Sequence, residues 1–510
     1  MWGLMAAVAL LMTLEGCAQL PSNDGREVSM ALQATSDTRL GKAVQARLRD
    51  HPGKSGIAIL SDGREAFGAR MVLADAAERS LDIQYYIWND DLSGSLLLGA
   101  LRRAAARGVR VRLLLDDNNT RGLDDLLADL DGDPHIEVRL FNPFAMRKAR
   151  AWQYLTDFAR LDRRMHNKSF TVDNQVTVIG GRNIGDQYFD AGEPIAFVDL
   201  DLMAIGAVVT QVSDDFDRYW ASPSSYPARR VLGPTAPKRA AELAAAALAM
   251  QHEPMARRYA DAIARSPFVR QLMQHQLPFE WVDVQMLSDD PAKGLGLAQG
   301  DELLWPRLKR LLTEARRELR VVSPYFVPGS EGVESITELA NKGVKITILT
   351  NSLETTDVPA VHAGYAKRRL DLLHAGVALF EMKRTMPVVA VARGSGSGPS
   401  SSASLHAKTF SVDGNQVFVG SFNFDPRSER LNTEMGFVID SASLARMIED
   451  SFKRQCQESA YEVRLASSGG LEWVERSGGV QQVHAQEPGN EFWTRFEVML
   501  LSVLPIEWLL

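Results

Sequence analysis

The chain has 510 residues, 45% of them hydrophobic and 24% charged, the make-up of a globular protein long enough for two sizeable domains. Its formal net charge of −7 at pH 7 argues against a general nucleic-acid binder, whose affinity comes from a net basic surface that neutralises phosphates.

In chain order, residues 2–14 form a short apolar run that leads to Gly16-Cys17. The run is too short to span a bilayer and fits the core of a signal peptide. The Gly-Cys step resembles a bacterial lipoprotein box. That implies lipidation of Cys17 and a chain anchored at a cell-envelope membrane, facing the periplasm, since two acyl chains hold where one is marginal. No Lys or Arg precedes the run and Glu15 stands inside the box, two departures from the pattern. Cys456 then has no disulfide partner and reads as a small buried hydrophobe. Beyond the signal segment 1–17, residues 18–45 read as a polar tether and 46–230 as a first domain. Residues 231–290 read as a connector with an Ala-rich helix over 238–251, 291–462 as a second domain, and 463–510 as a tail. The tail carries Trp493 and Trp508 in an apolar run interrupted by Pro505 and Glu507. That composition suits an interfacial segment or a helix docked on the body.

Both domains alternate helices and strands, the mark of an α/β architecture. In the first, the periodicity predicts a helix over 69–79, a strand over 81–88, a helix over 93–107 and a strand over 109–115. In the second it predicts a helix over 305–317, a strand over 319–322 continued by Pro324-Tyr325-Phe326, a helix over 333–341 and a strand over 344–350. Six basic residues, Arg147, Lys148, Arg150, Arg160, Arg163 and Arg164, follow in the first domain. They suit the steering of anionic headgroups or a merely solvated face. A Gly/Ser-rich stretch, residues 393–404, has the composition of a flexible loop.

One pattern occurs twice. Met165-His166-Asn-Lys168 leads to Asp173, and Leu405-His406-Ala-Lys408 leads to Asp413, each as HxKxxxxD. In an extended chain His and Lys two apart share a face. Turn residues follow at Asp173-Asn174 and Asp413-Gly414, then a second apolar strand ending at Asn183 or Asn423. Each half thus offers an imidazole, an ammonium and an amide near the end of a hairpin. Two imidazoles with two ammoniums suit phosphodiester chemistry: one His attacks phosphorus, the other moves protons, and the cations stabilise the non-bridging oxygens. Beside two ammoniums a divalent metal is poorly placed, so neither metal nor cofactor is expected. Each His needs a carboxylate to fix its tautomer. The register suggests Glu434 for the second half and Asp199 for the first, with Asp201 as the alternative. Asp173 and Asp413 complete the motif and are kept with the catalytic set, although an Asp at a turn is also ordinary turn chemistry.

These residues resemble the signature of the phospholipase D superfamily. Gly420-Ser421-Phe-Asn423-Phe-Asp425-Pro-Arg427-Ser428 looks like its GSxNxDxRS extension. Gly180-Gly181-Arg-Asn183-Ile-Gly-Asp186-Gln-Tyr188 and the upstream Gln84-Tyr85-Tyr86-Ile87-Trp88 look like the bacterial cardiolipin synthase branch. The resemblance implies two α-β-α domains related by a pseudo-twofold axis, with one active site at their interface. It also implies ping-pong phosphatidyl transfer from phosphatidylglycerol or phosphatidylethanolamine to phosphatidylglycerol, with His166 as nucleophile and His406 as acid/base. Ser421, Asn183 and Asn423 join the phosphate-binding or His-orienting set. The expected partners are these phospholipids and a membrane surface, not nucleic acid. Phospholipase D hydrolysis to phosphatidic acid is the alternative within enzymes, and a non-catalytic phospholipid-binding lipoprotein is the alternative outside them. The first half lacks the Arg-Ser pair of the second, so the two phosphate pockets need not match.

Overall fold

The computed structural model describes residues 19–191, 195–384, 402–477, 479–489 and 498. Cys17, residues 393–401 of the Gly/Ser stretch, and Trp493 and Trp508 of the tail lie outside the described residues.

Local sequence sets where the elements begin. The Asp62 carboxylate accepts from the amides of Arg64 (2.9 Å) and Glu65 (3.0 Å), a side-chain cap on two otherwise orphaned donors. The first domain helix therefore runs Gly63–Ala76 and begins six residues before the apolar periodicity suggests. The strand Ser80–Ile87 follows, then the helix Leu92–Ala106, the strand Arg110–Asn119 and the strand Ile136–Phe141. Leu81, Ile83, Tyr85, Val111, Leu113 and Leu115 are all buried. They pack beneath Phe67, Leu73, Leu97 and Leu101 of the two helices. The second domain repeats this with the helix Leu304–Thr313, the strand Glu318–Val322, the helix Gly329–Asn341 and the strand Lys345–Asn351.

The strands join into one continuous order. Leaving aside the outermost strands, the first half runs Ile136–Phe141, Arg110–Asn119, Ser80–Ile87, Ser169–Val172, Val176–Gly180, Asp201–Gly206 and Ser55–Leu60. The second runs Ala378–Met382, Lys345–Asn351, Glu318–Val322, Thr409–Val412, Gln416–Gly420, Met435–Asp440 and Glu280–Ser288. In each, the first three strands are parallel and the rest antiparallel. Ser55–Leu60 and Glu280–Ser288 pair antiparallel, with Ser55 opposite Val282. Strand order and direction therefore read the same from either end toward this seam. This is the two-domain, pseudo-twofold α/β architecture, and each motif hairpin lies two strands from the seam, at the same place in its half.

Three boundaries differ from expectation. Residues 19–34 are not a free tether but a strap on the first half: Arg112 and Arg139 donate to the carbonyls of Ser29 and Glu27, and the Asp217 carboxylate accepts from the Ala31 amide. The helix Arg39–Leu48 follows, capped by Thr38. The connector holds three helices, Pro237–His252, Pro254–Ala264 and Pro267–Met273. Tyr259, Ile263 and Val269 of the latter two enter the first-half core. It also contributes Glu280–Ser288, so the second sheet starts before residue 291. At the other end, Ala460–Leu465, Leu471–Ser477 and Val480–His484 extend the second sheet as antiparallel strands.

The motif aspartates occupy the far end of their hairpins, four strand residues beyond the Lys, which is roughly 13 Å of chain. Asp173 has a φ of +50° and Asp413 one of +52°, left-handed turn conformations that Asp tolerates. Each carboxylate collects three successive backbone amides: Glu78, Arg79 and Ser80 for Asp173, and Arg316, Arg317 and Glu318 for Asp413. They pin the start of the adjacent strand, Ser80–Ile87 or Glu318–Val322, which runs antiparallel to the hairpin strand. We predict that Asp173→Asn and Asp413→Asn each lower unfolding stability by about 1–3 kcal/mol in denaturant titration, while kcat of the folded enzyme stays near wild type. Collapse of kcat at unchanged stability would return these carboxylates to the chemistry.

Candidate active site

His166 and His406 each precede the first strand of their hairpin, and the residue before each is fixed by the end of a central strand. The Asp116 carboxylate accepts from the Met165 amide (2.7 Å). Asn351, at the equivalent strand position, exchanges two 3.0 Å hydrogen bonds with the Leu405 backbone. The chain then pairs across the seam. The His166 amide donates to Thr433 O (2.9 Å) and the Thr433 amide to Arg164 O (2.9 Å). Ser402–Leu405 runs parallel to Ile195–Val198, and the His406 amide donates to Val198 O (2.8 Å).

This cross-half pairing decides which carboxylate meets which imidazole. Sheet register places Asp199 and Glu434 at equivalent positions, two residues before Asp201 and Gly436, the partners of Gly180 and Gly420. Each carboxylate leads into the strand beside its own hairpin, but each contacts the histidine of the other half. His166 Nδ1 lies 2.9 and 3.0 Å from the two Glu434 oxygens. His406 Nδ1 lies 2.5 Å from Asp199 Oδ2. The within-half pairing read from the sequence is corrected: the residues are those expected, the partners are exchanged. Asp201 contacts neither histidine and is paired with the buried Arg70 at 2.8 Å.

The two lysines complete the cluster. Lys168 Nζ donates to His166 O (2.5 Å) and lies 5.6 Å from the Tyr86 ring centre. Lys408 Nζ stands 3.2 Å from His406 Nε2. All six groups are buried. Aromatic rings that sequence reasoning did not assign enclose the imidazoles: Tyr86 against His166 (4.9 Å), and Tyr188 and Phe197 against His406 (5.1 and 5.0 Å). Tyr86 and Tyr188 fall inside the quoted motif strings, but only the fold shows what they touch.

Burial sets the electrostatics. It pushes Lys168 down to about 7 and Lys408 down to about 8. It also holds His166 well below its ordinary range, with Lys168 and Lys408 adding to the effect. Burial and Lys408 lower His406 too, against the pull of Asp199. Burial raises Glu434 to about 7 in spite of Lys168, Ser421 and Ser428. At Asp199, burial acts upward but is outweighed by His406, Lys408 and Arg182, which hold it at about 2. Burial therefore works against positive charge on both imidazoles and leaves the lysines poised to lose their protons near neutrality, an arrangement that favours a bound anion.

The halves differ in detail. Ser421 Oγ and Ser428 Oγ donate to the two Glu434 oxygens at 2.5 and 2.8 Å. The aligned first-half positions are Gly181 and Tyr188. A Cβ at Gly181 would lie 2.1 Å from Asp199 Oδ1, so the shorter carboxylate sits where a serine side chain would have to go. Tyr188 OH instead accepts from Asn183 Nδ2 (3.0 Å), while Asn423 Oδ1 is buried without a partner among the described residues. Arg427 crosses to Asp162 of the first half at 2.7 Å.

Two buried His–Lys pairs on a pseudo-twofold seam define a phospholipase D-type protein. Residues 72–220 and 308–456 match the family described as cardiolipin synthase, PLD-like domain, and the chain belongs to that family. It is 51% identical to cardiolipin synthase C of Escherichia coli over 92% of this chain and all of that protein. It is 24% identical to a cardiolipin synthase of Geobacillus kaustophilus over 83% of this chain and 73% of that one. The crystal structure of a Haemophilus influenzae phosphatidylserine synthase shares the fold, with a TM-score of 0.57, 15% identity, and coverage of 92% of this chain and 100% of that one. The protein is an enzyme, a phosphatidyltransferase of the cardiolipin synthase type.

The exchanged pairing has a spectroscopic consequence. In ¹⁵N-histidine spectra, Glu434→Gln should move the His166 ring resonances and leave those of His406 in place, and Asp199→Asn should do the reverse. Perturbation of the histidine in the same half as the substituted carboxylate would contradict the geometry.

Proposed function

We propose that this phosphatidyltransferase works by ping-pong chemistry, with His166 as nucleophile and His406 as acid/base. His166 Nε2 attacks the phosphorus of phosphatidylglycerol or phosphatidylethanolamine, and the P–O bond to the headgroup breaks. His406, protonated for this step, gives its proton to the departing alcohol. The glycerol hydroxyl of a second phosphatidylglycerol then loses its proton to His406 and attacks the phosphohistidine. That breaks the P–N bond and releases cardiolipin. Lys168 and Lys408 face the non-bridging oxygens, where loss of one donor costs roughly 10²–10³ in rate. The observation that carries this reading is the pair of imidazoles held through Nδ1 by carboxylates, which leaves both Nε2 atoms for the phosphorus and the alcohol. Lys408 Nζ stands almost equally far from His406 Nδ1 (3.1 Å) and Nε2 (3.2 Å), and the order of the two histidines follows the family resemblance. We assign Cys17 as the site of a lipid anchor at the cell envelope; metabolic labelling with palmitate should be lost in Cys17→Ser.

Vesicles of phosphatidylglycerol and phosphatidylethanolamine, read by mass spectrometry, test the reaction. Cardiolipin with free glycerol or ethanolamine is the expected product set; phosphatidic acid alone would make the enzyme a hydrolase. His166→Ala and His406→Ala should each abolish cardiolipin formation, and near-full activity in either would refute the two-half site.

The pH profile follows from the lysines. A depressed ammonium is charged below its own pKa and neutral above it. kcat/KM, which reports the free enzyme, should therefore fall as pH rises through about 7 to 8, the values to which burial brings Lys168 and Lys408. A profile still flat at about pH 9.5, where ordinary lysines remain charged, would contradict the assigned role.

A further inference from the structure

The segment that leads to His166 has its polarity turned outward. In the helix Arg150–Thr156, Gln153 is buried, and its Oε1 accepts from the Met146 amide at 2.8 Å. Trp152 and Leu155, one helical turn apart, are 69% and 76% exposed, and Phe158 beyond them is 43% exposed. A soluble surface normally shows the reverse, with large apolar side chains inward and amides outward. Three large exposed apolar side chains within seven residues mark a candidate interaction site.

The patch is rigidly tied to the candidate active site. Tyr154, on the inward side, donates to Asn118 Oδ1 (2.8 Å) and packs edge-on against Phe144 at 5.4 Å. The adjacent Asn119 donates to Tyr86 O (3.3 Å), and the Tyr86 ring covers His166. Phe158 stands eight positions before His166 in the chain.

The charges around it are of two kinds. Arg147, Arg150, Arg160 and Arg164 are held in ion pairs with Asp117, Asp124, Asp157 and Asp116, so most of the basic run is structural. Lys148 and Arg121 are exposed and have no ion pair among the described residues. Arg121 stands next to Thr120, to which Arg150 donates.

We propose that Trp152, Leu155 and Phe158 dock the enzyme on the phospholipid bilayer, with Lys148 and Arg121 against anionic headgroups. This rests on the reading that its substrates are bilayer phospholipids. An indole at headgroup depth beside two smaller apolar anchors, flanked by free cations, is the composition that an anionic lipid surface selects. Docking there would bring the segment that leads to His166 to the bilayer surface.

Two measurements on the full chain test this. A nitrobenzoxadiazole probe on Leu155→Cys should shift to the blue with phosphatidylglycerol/phosphatidylethanolamine vesicles and be quenched by nitroxide-labelled lipid, whatever holds the N-terminus. Emission unchanged from that in water would overturn the proposal. The triple variant Trp152→Ser, Leu155→Ser, Phe158→Ser should lose at least about 10-fold in activity on vesicles, as expected when three apolar anchors are removed. It should turn over monomeric short-chain phosphatidylglycerol like the wild type. Equal loss on both substrates would make the patch structural, and an oligomer broken by the variant would make it a contact between copies; either outcome overturns the proposal. If the wild type transfers nothing to the short-chain acceptor while the probe still enters the bilayer, the docking stands and the reaction assignment fails.

Discussion

The exchange of carboxylates across the seam is the constraint on which the rest of the structure turns. Neither half can build a working imidazole alone, because His166 leans on Glu434 and His406 on Asp199. Burying two imidazoles, two ammoniums and two carboxylates is costly unless each charge finds a partner. The halves meet that cost only when the seam is closed. The antiparallel pairing of Ser55–Leu60 with Glu280–Ser288 and the short cross-half pairings before each histidine are what close it. Folding and assembly of the site are therefore one event.

Symmetry in the backbone carries asymmetry in the chemistry. The same register delivers a longer carboxylate braced by two hydroxyls to His166, and a shorter one lodged against Gly181 to His406. Burial raises Glu434 to about 7, whereas His406, Lys408 and Arg182 hold Asp199 down at about 2 against burial. Two positions with different proton affinities suit the proposed reaction, in which the two histidines do different work. The lysines, lowered by burial, are strong donors only while an anion shares the pocket, so binding of the phosphodiester and charging of the site reinforce each other.

Much of this was legible in the sequence. The doubled motif gave the two halves, the alternation of helices and strands gave the fold class, and the apolar register put Asp199 opposite Glu434. What was hidden were long-range choices. Partner exchange depends on which backbone pairs across the seam near Thr433 and Val198, and no periodicity encodes that. Asp173 and Asp413 share a string with the His–Lys pair, yet a four-residue strand carries them to the far end of the hairpin. The strap at 19–34 has no regular pattern because its hydrogen bonds go to Arg112, Arg139 and Asp217 rather than to itself. The start of the helix Gly63–Ala76 was missed because a cap, not the apolar period, sets it.

The central claim is that one half supplies the nucleophile and the other the carboxylate that orients it. Acid quench of the enzyme during turnover of phospholipid labelled at phosphorus, followed by peptide mapping, tests it most directly. The label should sit on the peptide containing His166 in the wild type and should vanish in Glu434→Gln, although Glu434 lies in the other half. Label on the His406 peptide, or label undiminished by Glu434→Gln, would contradict the account.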